Sequence, residues 1–181
     1  MSPVTIRSAD PRRDAAACAA IYAPSVEDSA TSFEERAPDA AEFAARIELI
    51  SATHPFLVAE DGEGAVGYAY ACPFQERPAY RWSASVSVYV AAERNGEGVG
   101  RALYEELFER LRRQGFRMAS AGITLPNPAS VALHESLGFV AAGRSREIGW
   151  KHGAWRDIGW WQLELTGAPD GAPPEPTPPA G

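Results

Sequence analysis

The chain has 181 residues, 45% of them apolar and 23% charged, with a formal net charge of −7. That length builds one core and is short for two, and the acidic balance offers no basic excess with which to neutralise a nucleic-acid backbone. No apolar run is long enough to span a bilayer and no basic–apolar leader opens the sequence, so a cytoplasmic protein with neither a membrane nor a nucleic-acid partner is expected.

Val4–Ser8 alternates as a strand, and Asp10-Pro11 opens a helix running to about Ser25, with Ala17, Ala20 and Ile21 expected inside. A polar loop, Glu27–Arg36, carries Phe33. A second helix spans Pro38–Ala52 with Phe43, Ile47 and Ile50 apolar. Strands Phe56–Glu60 and Ala65–Cys72 flank the turn Asp61-Gly62-Glu63-Gly64. Trp82–Val90 alternates strictly: Ser83, Ser85, Ser87 and Tyr89 face one way, Ala84, Val86, Val88 and Val90 the other.

After a glycine-rich loop, Val99–Gln114 reads as a helix with Leu103, Leu107 and Leu111 in register, Tyr104 and Phe108 beside them, and Glu106–Arg110 and Glu109–Arg113 spaced as i,i+4 ion pairs; Gly115 ends it. Met118–Thr124 is a strand. Asn127 caps a short helix that Pro128 begins and Gly138 closes. Phe139–Glu147 and Arg156–Leu165 are the last strands, joined through Lys151-His152-Gly153, two side chains and a glycine with no assigned purpose. The pattern is a mixed α/β sheet with helices on both faces, residues 1–166, followed by a Pro/Gly/Ala-rich tail, 167–181, that has little to bury and is expected to be disordered. Cys18 and Cys72 lack metal or disulfide spacing and three histidines share no motif, so no metal is expected.

The strongest chemical signal is the strand–loop–helix run in which Val88-Tyr89-Val90 leads to Asn95-Gly96-Glu97-Gly98-Val99-Gly100. Glycines let the backbone approach a ligand, and amides at a helix N-terminus point at an anion. No lysine follows the last glycine, so this is not a nucleotide-triphosphate loop. No acid stands near Ala119–Ala121, where a dinucleotide site would carry one.

The loop resembles the coenzyme-binding motif of the GNAT N-acetyltransferase superfamily, Gln/Arg-x-x-Gly-x-Gly/Ala, with Asn95, Gly98 and Gly100 in the defining places; Asn95 departs from the usual Gln or Arg. Asn127, Ser130 and His134, at i, i+3 and i+7 in the segment ending Leu137-Gly138-Phe139, resemble the superfamily's second motif. Thr31-Ser32-Phe33, Arg77-Pro78-Ala79-Tyr80 and Lys151-His152-Gly153-Ala154-Trp155-Arg156-Asp157 are similar to the phosphinothricin and methionine sulfoximine N-acetyltransferase branch.

The resemblance implies the GNAT fold, an α/β fold with a mixed, mostly antiparallel sheet. It also implies acetyl-CoA as co-substrate, a small amino-acid-like amine as acceptor, and a homodimer, for which Trp150, Trp155, Trp160 and Trp161 offer apolar surface. Coenzyme contacts then fall to Val88, Tyr89 and Val90, to the loop and first turn Asn95, Gly96, Glu97, Gly98, Val99, Gly100, Arg101 and Ala102, and to Asn127, Ser130 and His134. Acceptor contacts fall to Phe33, Arg77 and Tyr80, with the Arg77 guanidinium matched to a carboxylate.

Direct acetyl transfer needs a deprotonated amine, a donor to the thioester oxygen and a proton for the leaving thiolate. The branch places a glutamate three residues before Val-Tyr-Val; here that position is Ser85, which positions a water at best. Glu27 and Asp28, His134, or direct capture of a neutral amine are the alternatives, with His134 favoured as the thiolate's proton source. A non-catalytic acyl-CoA-binding module and a protein N-acetyltransferase are the competing readings; a pocket closed by the Phe33 loop argues against the second.

Overall fold

The computed structural model describes residues 4–179. Seven strands, β1 (Thr5–Ser8), β2 (Phe56–Asp61), β3 (Gly64–Pro73), β4 (Ser83–Val90), β5 (Met118–Leu125), β6 (Val140–Lys151) and β7 (Ala154–Glu164), form one sheet in the order β1-β2-β3-β4-β5-β7-β6. Every neighbouring pair is antiparallel except β4–β5.

Strand alternation assigns the two faces. Leu57, Ala59, Ala69, Ala71, Ala84 and Val86 pack under α3 (Val99–Gln114), whose Leu103, Leu107 and Leu111 are fully buried. Each contributes about 1.5–3 kcal/mol of apolar transfer. Phe56, Val58 and Tyr68 turn to the opposite face, against α1 (Pro11–Glu27) and α2 (Ala40–Ser51). A short α4 (Pro128–Ser136) follows β5.

Several elements differ from the sequence expectation. The inner face of α1 is Asp14, Ala15, Cys18, Ala19, Tyr22 and Val26, so Ala20 points to solvent. The alanine-rich helix carries little amphipathic signal, and its contact with α2, not its own pattern, selects the buried stripe. On α3, Arg110 pairs with Glu106 at 2.8 Å as expected, whereas Glu109 takes Arg112, three residues on, in place of Arg113.

β6 continues to Lys151 rather than stopping at Glu147. A register shift between Ser145 and Gly149 and a left-handed Glu147 (φ 48°) break the alternation that a sequence reading follows. The tail, expected to be disordered, runs back across the domain. The Thr177 N–H donates to the Gln114 carbonyl at 2.8 Å, the Trp82 indole donates to the Pro174 carbonyl at 2.8 Å, and Arg81 pairs with Glu175. Proline costs little entropy to order and leaves its carbonyl as an acceptor, so a proline-rich strap is held without a core of its own.

Candidate active site

Three of the four helices close their N-termini with a side chain. Asp10 accepts from Arg12 and Arg13, Asp39 forms a capping box with Glu42, and Asn127 accepts from the Ser130 N–H at 3.1 Å. The exception is α3. Its N-cap is Gly98 in the left-handed region (φ 84°), with no side-chain acceptor. The first intrahelical bond runs from Ala102 N–H to the Gly98 carbonyl, which leaves the amides of Val99, Gly100 and Arg101 pointing outward at the positive end of the helix dipole. Gly96 (φ 80°) and Gly98 hold the loop in conformations L-residues rarely adopt. Arg94 braces it from below, pairing with Glu97 at 2.6 Å and with Asp61. A groove of about 540 Å³ lies over these amides, between Val88 and Val90 on one side and Ala129 and Leu133 on the other.

The groove leads to a gap in the sheet. β4 and β5 pair only at Ser83–Ser85 with Met118–Ser120, and then separate. The Ala91 N–H bonds Val66 of β3, and Trp82 accepts from Arg117 on the β5 side. Alternation therefore turns the peptide groups of Val88 and Val90 into the gap, where no strand receives them. Unpaired backbone on an otherwise complete sheet is a template for an extended ligand bearing amides.

Beyond Val88 and Ser130, which the groove shares, lies a small cavity of about 70 Å³ lined by Thr31, Ser87, Tyr104, Gly122, Thr124 and His134 among others. His134 is 3% exposed on the inner side of α4. Its Nδ1 lies 2.7 Å from the Ser130 carbonyl, which only accepts, so Nδ1 carries the proton; Nε2 then accepts from the Tyr104 hydroxyl at 3.1 Å. Burial lowers the His134 pKa, keeping the ring neutral, and raises that of Tyr104, keeping the phenol protonated. Among the described residues, no carboxylate lines this cavity; the titratable groups there are His134, Tyr104 and Tyr89.

The structure thus brings together Val88, Val90, Asn95, Gly96, Gly98, Val99, Gly100, Arg101 and Ser130 around the groove, with Tyr89, Asn127, Ser130 and His134 at the cavity. Glu97 turns its carboxylate to Arg94, and Ala102 lies in the helix behind the groove. Ser85 is half-buried at the last position of β4 paired with β5, opposite Cys72 of β3. Arg77 and Tyr80 do not reach the cavity; they line an exposed depression with Pro73 and Phe74, beside that end of β4. Phe33 packs over Gly149, while its loop neighbour Thr31 lines the cavity.

The places of Tyr104, Thr31 and Gly122 at the cavity and of Arg94 beneath the loop are not legible in the sequence. Tyr104 sits in the apolar stripe of α3, where its hydroxyl was the one overlooked signal, since a buried phenol requires a partner. Gly122 signals close approach: a Cβ there would stand 3.0 Å from the Trp160 ring. Of the four tryptophans expected to form an apolar surface, Trp161 is buried in the core; Trp150, Trp155 and Trp160 remain exposed. Among the described residues, no cluster of three His, Cys, Asp or Glu side chains is arranged to hold a metal, and no helix is long and apolar enough to cross a membrane. Cys18 is buried, and burial pushes its thiol up to about 12.

Residues 6–160 match the model of the acetyltransferase (GNAT) domain. The chain is 39% identical over 177 residues to a phosphinothricin N-acetyltransferase of Streptomyces viridochromogenes, covering 98% of this chain and 94% of that protein. It is 36% identical over 173 residues to an L-methionine sulfoximine/L-methionine sulfone acetyltransferase of Salmonella typhimurium, covering 92% and 99%. A phosphinothricin acetyltransferase from Sinorhizobium meliloti, solved in complex with acetyl-CoA, superposes with a TM-score of 0.90 at 38% identity, covering 97% of this chain and 95% of that one.

Proposed function

The chain belongs to the GNAT acetyltransferase family, and from that premise we propose that it transfers the acetyl group of acetyl-CoA to the α-amine of a small amino acid of the phosphinothricin or methionine sulfoximine/sulfone type. The observation that carries this reading is the uncapped α3 N-terminus, whose groove runs past Val88 and Ser130 into the cavity holding His134. The coenzyme's pyrophosphate sits on the amides of Val99, Gly100 and Arg101, and its pantetheine pairs with Val88 and Val90 in the gap, which delivers the thioester to the cavity. The relatives' names supply the acceptor class, and Arg77, exposed in the separate depression beside the start of β4, is assigned to its carboxylate.

With Ser85 in the branch's glutamate position, the proton economy falls to the Tyr104–His134 pair. The amine nitrogen attacks the thioester carbon, and the C–S bond breaks as the tetrahedral adduct collapses. The proton lost by nitrogen passes to the Tyr104 oxygen while the phenol's own proton moves to Nε2. The reverse transfer then gives the thiolate its proton and restores the neutral pair. Lowering the histidine's pKa makes the transient imidazolium a stronger acid toward sulfur. A homodimer through exposed Trp150, Trp155 and Trp160 is part of the same proposal, checked by sedimentation.

The test is coenzyme A release from acetyl-CoA with L-methionine sulfoximine, L-methionine sulfone and phosphinothricin across pH. Binding of acetyl-CoA without turnover of any amine would overturn the proposal and favour the second reading, a non-catalytic acyl-CoA-binding module. That alternative is motivated by Ser85, and it predicts that Ser85→Glu creates turnover where the natural chain has none.

A further inference from the structure

Lys151 and His152 stand at the β6–β7 turn, where a lysine and a histidine ordinarily serve solvation. Here both reach one loop, Ser29–Arg36. The Lys151 side chain is buried and its Nζ donates to the backbone carbonyl of Glu34, 117 positions away in sequence; among the described residues it forms no ion pair. The His152 Nε2 donates to the Ser29 carbonyl at 3.0 Å. Between these anchors, the Phe33 ring occupies the space a side chain on Gly149 would need: a Cβ there would lie 2.2 Å from Cε2 of the ring.

The notch itself is a product of the β6 bulge. Asp157 accepts the N–H of left-handed Glu147 at 2.7 Å and the Arg144 Nε at 2.6 Å, which holds the extra residues out of register and sets Gly149 opposite Phe33. From the other side, the Glu34 carboxylate accepts both Arg46 nitrogens, at 2.7 and 2.8 Å, and the Tyr22 hydroxyl at 2.8 Å. Thr124 donates to the Thr31 carbonyl at 3.3 Å, and Thr31 lines the cavity. The loop is held between α1–α2 and the hairpin, and the hairpin half depends on one buried ammonium and one missing side chain.

We infer that Lys151, His152, Gly149 and the Asp157-held bulge form a clamp that fixes the Phe33 loop over the acceptor side of the cavity. These are positioning residues that set acceptor affinity and leave coenzyme affinity alone. A buried ammonium is satisfied only while the loop is seated, because opening the loop removes its acceptor without fully exposing it to water. The inference rests on the acyl-transfer reading for its kinetic consequence, but the clamp itself has a readout that requires no turnover.

That readout is digestion of the full chain by a glutamate-specific protease, with cleavage after Glu34 and Glu35 followed by mass spectrometry. Lys151→Met keeps the aliphatic stem and removes the donor. Gly149→Ala places a methyl in the ring's space, and adding Phe33→Leu returns the room. Each single variant is expected to be cut in the loop at least about fivefold faster than the natural chain, with the Gly149→Ala/Phe33→Leu chain recovering most of the protection. In steady state, the KM for the amine rises about tenfold in Lys151→Met while the KM for acetyl-CoA stays within about twofold.

Cleavage at the natural rate in both single variants, or equal rises in both KM values, overturns the clamp. Should Lys151→Met fail to fold, His152→Ala removes the exposed anchor alone, and a cleavage rate unchanged by it would count equally against the inference. A natural chain that turns over no amine sinks the transfer reading, and the digestion then decides the clamp by itself.

Discussion

The two ends of the site are built by different means. At the proposed coenzyme end, a loop of consecutive residues, two positive-φ glycines and one uncapped helix make the seat, and almost every contact is local in sequence. At the proposed acceptor end, the Phe33 loop is held by residues from α1, α2, β5 and the β6–β7 hairpin, with the β5 contact 93 positions away and the hairpin contacts 117 and 123. A seat made from backbone tolerates changes in its side chains, whereas an enclosure made from distant side chains changes shape with each of them. Under the proposed acyl transfer, the first construction suits one constant ligand and the second suits tuning among amines.

The largest expected effect lies where the two ends meet. His134→Asn removes the Nε2 acceptor, and Tyr104→Phe removes the hydroxyl bonded to it; each should lower kcat by about 100-fold or more. Because the two act as one relay, the double variant should be little worse than the poorer single, which single-turnover rates would show. Losses that multiply would separate the pair and break the assignment.

Next comes a change confined to the coenzyme end. Gly98→Ala forces an L-residue into a left-handed N-cap at a cost of about 1–2 kcal/mol. It should raise the KM for acetyl-CoA about tenfold while the amine KM stays put, the mirror image of the clamp variants. A matching rise in both would show that the two ends are mechanically coupled.

The pH dependence of stability separates the groups by their environment. Burial lowers the pKa of His134 and His54, so the native state binds fewer protons than the unfolded chain just below the unfolded histidine value of about 6.5. Stability from these two is complete above that value and is lost as pH falls toward the folded values. Glu34, held low by Arg46, and Glu42, held at about 2 by Arg36, have their unfolded values near 4.5, so their contribution is lost only further into acid. Thermal melts of the natural chain should thus decline from about pH 6.5, and His134→Asn should flatten the first part of that decline. A decline that begins only below pH 4.5 in the natural chain would contradict the assigned burial.

The smallest effect belongs to the tail. Ending the chain after Gly171 removes the contacts of Pro174, Glu175 and Thr177 with Trp82, Arg81 and Gln114. A fall in Tm of about 2–4 °C, with both KM values unchanged, is expected from a calorimetric scan. A larger change in either KM would place the strap among the elements that shape the site.

The legible parts of this protein share one property. The leucines at every fourth position of α3, the alternation of β4, and Asn127-Pro128 at the start of α4 each encode structure within a few residues, and each appears as expected. The misread parts do not. The buried face of α1 is chosen by α2, the length of β6 by the carboxylate of Asp157 on β7, and the path of the tail by Trp82 and Gln114. Phe33 and His134 stand out by their resemblance to motifs, but their surroundings do not. That Phe33 needs a glycine opposite it, or that His134 has Tyr104 on its Nε2, is invisible until the strands pair.

By itself, then, the sequence determined the elements and the uncapped glycine loop before α3, because backbone conformation, helix capping and hydrophobic periodicity are short-range properties. Only the tertiary structure decided the protonation pattern of His134, the gap beyond Ser85 and Ser120 that exposes Val88, and the enclosure of the Phe33 loop. Those depend on burial and on hydrogen bonds between residues that no spacing in the chain relates, and an imidazole's charge state or a lysine's partner has no value until its surroundings exist.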